Sequence, residues 1–204
     1  YKRFVRNGAD LNEKDKKKIR EIDEKLSLLS PKFSNNVLNA QNNYELWIDN
    51  QKDLEGLPES SINMAKEEAK QKGKENKWLF TLQYPSMGPF LSYAKNRKLR
   101  KELFLAYGSL CNNDKFSNND IIKKIVKFKH KRANLLGFDN FADYVLDDRM
   151  AGSVKNVYRL LDDLYNNCYE KAKVELNELK DFAKKLDGIE DFKPWDQSYY
   201  FTKL

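Results

Sequence analysis

Between Ser153 and Gly188 apolar side chains recur at steps of three and four: Val154, Val157, Leu161, Leu164, Cys168, Ala172, Leu179, Phe182 and Leu186. A 3.6-residue period sustained this far reads as one α-helix, roughly 50 Å long at about 1.5 Å per residue. Most of the other segments of the 204-residue chain also carry helical spacing or helix caps. The expected fold class is therefore mainly α, with at most two short strands, at 44–48 and 78–83.

The second constraint is the run from Trp78 to Ala94, which carries no charge in a chain that is 34% charged. Trp78-Leu79-Phe80-Thr81-Leu82 is strand-like, rich in aromatic, β-branched and aliphatic residues. Pro85, Gly88 and Pro89 should break the ladder and force a turn. Helical spacing then returns with Leu99, Leu103, Ala106 and Tyr107. The other strand candidate, Tyr44 to Ile48, alternates and ends at Asp49-Asn50; pairing of the two strands as a small ribbon stays open.

The remaining punctuation is mostly helical. Phe4 to Ala9 reads as a connecting piece, and Asp10 or Asn12 can cap a first helix with Glu13 and Asp15 in its first turn. That helix carries the stripe Ile19, Ile22, Leu26 and Leu29, and Pro31 can open a second stretch with Phe33, Val37, Leu38 and Ala40. Gly56-Leu57-Pro58 starts a helix that Gly73 closes. Asn112 to Asn119 is a polar loop, with a cap at Ser117 or Asn118 for a helix that ends at Gly137. Asp139 can cap a short helix holding Phe141, Tyr144, Val145 and Leu146. Pro194 suits the first turn of a last helix. The chain reads as a single helical segment, 1–204, with a possible division into a helix-strand-helix part (1–110) and a long-helix part (117–204).

Composition narrows the function classes. At 40% hydrophobic and 13% aromatic the chain can build a core. Thirty-eight Lys and Arg against 31 Asp and Glu give +7, a modest excess with the signs interspersed. The most basic helix, with Lys123, Lys124, Lys127, Lys129, Lys131 and Arg132, could neutralise phosphates. Its apolar side and the lack of a nucleic-acid motif favour a solvated face. Cys111 and Cys168 fit no disulfide framework and read as free thiols in a reducing, cytoplasmic setting. The uncharged run is too short for a membrane span. A start at Tyr1 rather than Met reads as a truncated or processed N-terminus, which leaves any targeting signal open.

Candidate chemistry is sparse. His130, the single histidine, sits among Lys127, Lys129, Lys131 and Arg132 with no adjacent carboxylate to orient it, so a surface or packing role is expected. Any Ser-His-Asp or Cys-His arrangement would have to use it. The pairs Asp147-Asp148 and Asp162-Asp163 lie near helix ends, where carboxylates occur for local reasons.

The order of short motifs resembles one family, the zinc metallopeptidases of the thimet oligopeptidase and peptidyl-dipeptidase group. The matching residues are Gly56-Leu57-Pro58, Leu82-Gln83-Tyr84-Pro85-Ser86, Pro89-Phe90-Leu91-Ser92-Tyr93 and Asn96-Arg97-Lys98-Leu99-Arg100. Leu26-Ser27-Leu28-Leu29, Phe33 to Leu38, Leu135-Leu136-Gly137-Phe138, Phe141-Ala142-Asp143-Tyr144, Arg149-Met150-Ala151 and Trp195-Asp196-Gln197-Ser198-Tyr199-Tyr200 extend it. The resemblance thus runs from about Phe4 to Tyr200, and its wording looks closer to the peptidyl-dipeptidase branch.

It implies a helical segment of a channel fold, in which two mostly helical halves enclose a narrow channel for short peptides. The family's zinc is held by a His-Glu-x-x-His helix and a later Glu. One histidine cannot supply that site, so no catalytic or metal residue is assigned here and zinc is expected in the full-length parent. The expected partners are the remainder of the same polypeptide and an oligopeptide substrate, with no nucleic acid and no membrane. Tyr199 and Tyr200 are the candidate channel-wall residues, with aromatic core packing as their other reading. The alternative function is a freestanding helical interaction module or a basic nucleic-acid-binding module.

Overall fold

The computed structural model describes residues 1–112 and 114–204, and is mainly α-helical. In chain order the helices are α1 (Lys2–Arg6), α2 (Glu13–Asn42), α3 (Glu59–Gln71), α4 (Tyr84–Tyr93), α5 (Arg97–Gly108), α6 (Asn119–Leu135), α7 (Phe141–Leu146), α8 (Val154–Asp187) and α9 (Pro194–Phe201). Two three-residue strands, β1 (Leu46–Ile48) and β2 (Trp78–Phe80), pair antiparallel, with Leu46 opposite Phe80, Trp47 opposite Leu79 and Ile48 opposite Trp78. The expected strands were longer at both places. The expected loop from Asn112 to Asn119 includes Asn113, which lies outside the described residues.

Two proline expectations are corrected. Pro31 does not open a new helix, because it lies inside the continuous 30-residue α2. The stripe keeps one phase across it, as Ile19, Ile22, Leu26, Leu29, Phe33, Val37 and Ala40 are all buried or half-buried while Pro31 is exposed. Burial of one uninterrupted face outweighs the single backbone hydrogen bond that Pro31 cannot donate. Likewise Pro85 to Pro89 form no open turn but part of α4, with Pro85 in its first turn, where no donor is needed. Pro89 removes the bond to the Pro85 carbonyl, and burial of Met87 and Phe90 on the same helix compensates. Phe4 is also helical, in α1, and the cap of α7 is Asn140 rather than Asp139, its side chain accepting from the Asp143 amide at 3.0 Å.

The chain divides into two compact units, Tyr1–Asn36 with Asn113–Glu170, and Val37–Asn112 with Lys171–Leu204. In the first, Ile19, Ile22, Ile121 and Ala133 are buried. Asn118, 2% exposed, donates to the Phe33 carbonyl at 3.1 Å and accepts from Asn36 at 2.9 Å, so its burial leaves no polar atom wanting. Arg132 donates to Asp23 at 2.7 Å and to Asn7 at 3.1 Å, tying α6 to α2 and to the turn after α1.

The second unit holds the larger core. Leu46, Ile48, Leu54, Leu57, Ala65, Phe80, Leu82, Met87, Phe90, Ala94 and Leu103 form one cluster under the ribbon, α3, α4 and α5. Phe80 and Phe90 meet edge to face with ring centroids 4.7 Å apart. Gly56 is required where it stands. Its φ is +90°, and a Cβ there would overlap the Tyr93 carbonyl oxygen at the end of α4. The same approach lets the Lys95 amide donate to the Glu55 carbonyl at 2.9 Å.

Candidate functional site

The most elaborate side-chain arrangement among the described residues lies in the second unit, where α9 meets α4 and α5. Asn96 caps α5 by accepting from the Lys98 and Leu99 amides at 3.0 and 3.2 Å. That cap directs the first turn of α5, and with it Arg97 and Arg100, toward the end of α4 and toward α9. Pro194 starts α9, and the Asp196 carboxylate folds back to accept the Lys193 amide at 3.0 Å.

Asp196 is fully buried and is flanked by both arginines. Arg97 donates from Nε at 2.9 Å and from Nη2 at 2.8 Å, and Arg100 donates from Nη2 at 3.1 Å. Burial alone would raise this carboxyl, but the bonds from Arg97, the Lys193 amide and Arg100 outweigh it and hold Asp196 below the ordinary carboxylate range. The Asp196 carboxylate in turn holds the Arg97 guanidinium charged, and Asp191 adds a second partner at 3.0 Å.

Arg100, only 1% exposed, uses its other donors on main-chain carbonyls: Ala94 at 2.7 Å, Lys95 at 3.2 Å and Trp195 at 3.3 Å. A buried cation thereby closes the C-terminal end of α4, where carbonyls lack helical partners. Its guanidinium also lies 3.9 Å over the Tyr199 ring.

Tyr199 and Tyr200 are 4% and 1% exposed and pack with Leu179 and Ala183 of α8, with Phe182, Ile189 and Phe192 around them. The two rings meet edge to face at 5.0 Å. The Tyr200 hydroxyl donates to Asp187 at 2.9 Å, and burial, followed by this carboxylate, pushes its ionisation upward. Tyr199 is thus joined to the arginine–aspartate cluster directly, and Tyr200 through its contact with Tyr199. Sequence reasoning did not assign Arg97, Arg100 and Asp196 to one cluster. Both motifs that hold them were visible, but nothing along the chain links residues about a hundred positions apart.

The arrangement is suited to holding elements together and has the wrong composition for zinc. Two guanidiniums on the one buried carboxylate leave it no capacity for a cation. No group of three or more His, Cys, Asp or Glu that could hold a metal is found among the described residues. His130 is exposed on α6, Cys111 is buried and Cys168 is exposed on α8. Asp147 pairs with Arg6, while Asp162 and Asp163 lie exposed on α8. No described helix is long and apolar enough to cross a membrane.

α8 contributes a second feature. From Tyr158 to Glu178 every residue is exposed, although the apolar stripe continues through the segment. Tyr158 is 62%, Leu161 52%, Leu164 52% and Tyr165 58% exposed. Helices expose single apolar residues routinely, but not a face of this length.

Comparison with known proteins finds similar sequences along the chain. Residues 90–204 match the sequence profile of Peptidase family M3. Oligopeptidase A of Haemophilus influenzae is 35% identical over 98% of this chain, which covers 30% of that protein. Organellar oligopeptidase A, chloroplastic/mitochondrial, of Arabidopsis thaliana is 34% identical over all of the chain and 26% of its own length. Dipeptidyl carboxypeptidase of Escherichia coli is 29% identical, again over the whole chain and 30% of that protein. The chain therefore spans under a third of the length of these relatives.

Proposed function

Since the chain belongs to peptidase family M3, we propose that it forms a non-catalytic, helical wall-and-scaffold portion of a zinc-dependent peptidase acting on short peptides. The observation that carries this reading is the bare face of α8 in a chain that aligns along its whole length with relatives more than three times as long. A surface of that kind is made to be covered by more protein.

The zinc and the water-activating glutamate belong, in this reading, to the parent polypeptide outside these 204 residues. When bound there, zinc would polarise the scissile carbonyl and activate water. The present residues do a different task. The Arg97–Asp196–Arg100 cluster fixes the angle at which α9 leaves the core, and Tyr199 and Tyr200 stiffen the wall through their packing. Identity is higher to the oligopeptidases than to the dipeptidyl carboxypeptidase, which supports an oligopeptidase parent over the dipeptide-releasing branch that the motif wording favoured. Cys111 and Cys168 are in no disulfide, which suits a reducing compartment such as the cytoplasm.

The test compares the 204-residue chain with the protein from its full reading frame on a quenched fluorogenic peptide, with zinc and with chelator. The proposal expects chelator-sensitive hydrolysis by the full-length protein and none by the 204-residue chain. Zinc-dependent turnover by the short chain would refute it.

A further inference from the structure

The face of α8 between Tyr158 and Tyr169 has the geometry of one half of a helix–helix interface. Tyr158, Leu161, Tyr165 and Tyr169 succeed one another at steps of three and four, so they lie along one side of the helix. Leu164 and Cys168 flank them on the same apolar side, a stripe more than 100° wide of the kind that faces a core. The Tyr165 and Tyr169 rings already stack, with centroids 4.6 Å apart and planes 23° apart. Part of the ordering that docking would require is therefore in place before a partner arrives.

The same stripe is already an interface farther along the helix. Leu179 and Ala183, in phase with Leu161 and Tyr165, are buried beneath Tyr199 and Tyr200 of α9. One side of one helix is thus covered at its C-terminal end and bare over the preceding turns. The polar side gives no competing account, since Lys155, Arg159, Asp163 and Lys173 lie there by helical phase with both signs mixed.

We infer that the Tyr158–Tyr169 face of α8 is the docking seam for an apolar-faced helix of the same polypeptide lying outside these 204 residues. The inference rests on the proposed M3 parent, because the relatives supply more than twice this length of additional chain to cover the face. A second copy of the chain is the competing occupant. The intramolecular partner is favoured because a tethered helix is present at high effective concentration.

Cys168 lies within the seam and is exposed in this chain, whereas Cys111 is buried. Its reaction with a maleimide, followed by mass spectrometry of the Cys168 peptide, therefore reads the state of the face directly. In the 204-residue chain Cys168 should label as fast as an unfolded thiol. In the full-length protein labelling should slow by at least about tenfold, independently of protein concentration, and Leu161→Lys with Tyr165→Lys should restore it.

Equally fast labelling of the full-length protein would overturn the inference. So would protection that disappears on dilution together with dimer mass in light scattering, which would assign the face to a second copy. Hydrolysis of the fluorogenic peptide by the same preparations separates the two proposals. Zinc-dependent turnover with an unprotected Cys168 leaves the parent activity standing and removes the seam. A protected Cys168 without turnover does the reverse.

Discussion

Replacing Asp196 with Ala removes the one carboxylate shared by Arg97 and Arg100. The two arginines are not equally affected. Arg97, with 30% of its side chain exposed, keeps Asp191 at 3.0 Å and can turn toward water. Arg100, 1% exposed, is left as a buried cation whose remaining partners are the Ala94, Lys95 and Trp195 carbonyls. Removing one side of a buried ion pair costs about 3–5 kcal/mol. The three carbonyls place the expected loss at the lower end, about 3 kcal/mol.

Trp47, Trp78 and Trp195 all lie in the second unit, so tryptophan emission follows the unfolding of the part that holds the cluster. With a urea m value of about 2 kcal/mol/M, Asp196→Ala should lower the midpoint by about 1.5 M. Adding Arg100→Met should cost less than the sum of the single changes, with a coupling of at least about 1 kcal/mol. A shift of under about 0.3 M, the size expected of a solvent-exposed pair, would refute the reasoning. Strict additivity would also refute it.

The same carboxylate sets an acid limit. Because its folded value lies below its unfolded one, its stabilisation is complete above the unfolded value of about 3.9 and is lost as pH falls through the lower folded value. Urea titrations at a series of acidic pH values should show this loss in the parent chain and a flatter profile in Asp196→Asn. Tyr200 contributes in the opposite direction: its raised folded value gives stability that fades as pH rises past about 10, and Tyr200→Phe should remove that alkaline dependence. Gly56→Ala combines a positive φ with overlap on the Tyr93 carbonyl and should cost at least about 2 kcal/mol by the same urea assay. A loss within experimental error would show that the loop can move away.

Much of the fold can be read along the chain because helices declare themselves locally. α8 was legible from nine apolar positions, α5 from the spacing of Leu99, Leu103, Ala106 and Tyr107, and α9 from its start at Pro194. The prolines misled for a physical reason: each is a strong local signal, yet the stripe from Ile19 to Ala40 keeps its phase through Pro31, and tertiary burial outweighs one missing donor. The second strand was over-extended because β-branched Thr81 and aliphatic Leu82 continue its strand-like composition without being paired. The arginine–aspartate cluster was out of reach because its partners, Arg97 and Asp196, are brought together only by the packing of α9. The burial of Tyr199 and Tyr200 follows from that same packing.

Under the proposed function these 204 residues are necessary to a peptidase without supplying its chemistry. The most direct measurement expresses the remainder of the full reading frame with and without the 204-residue chain and follows zinc-dependent hydrolysis of one fluorogenic peptide. No turnover is expected from either part alone, and turnover when both are produced together or joined. Undiminished activity of the remainder alone, or zinc-dependent activity of the 204 residues alone, would contradict the proposed function.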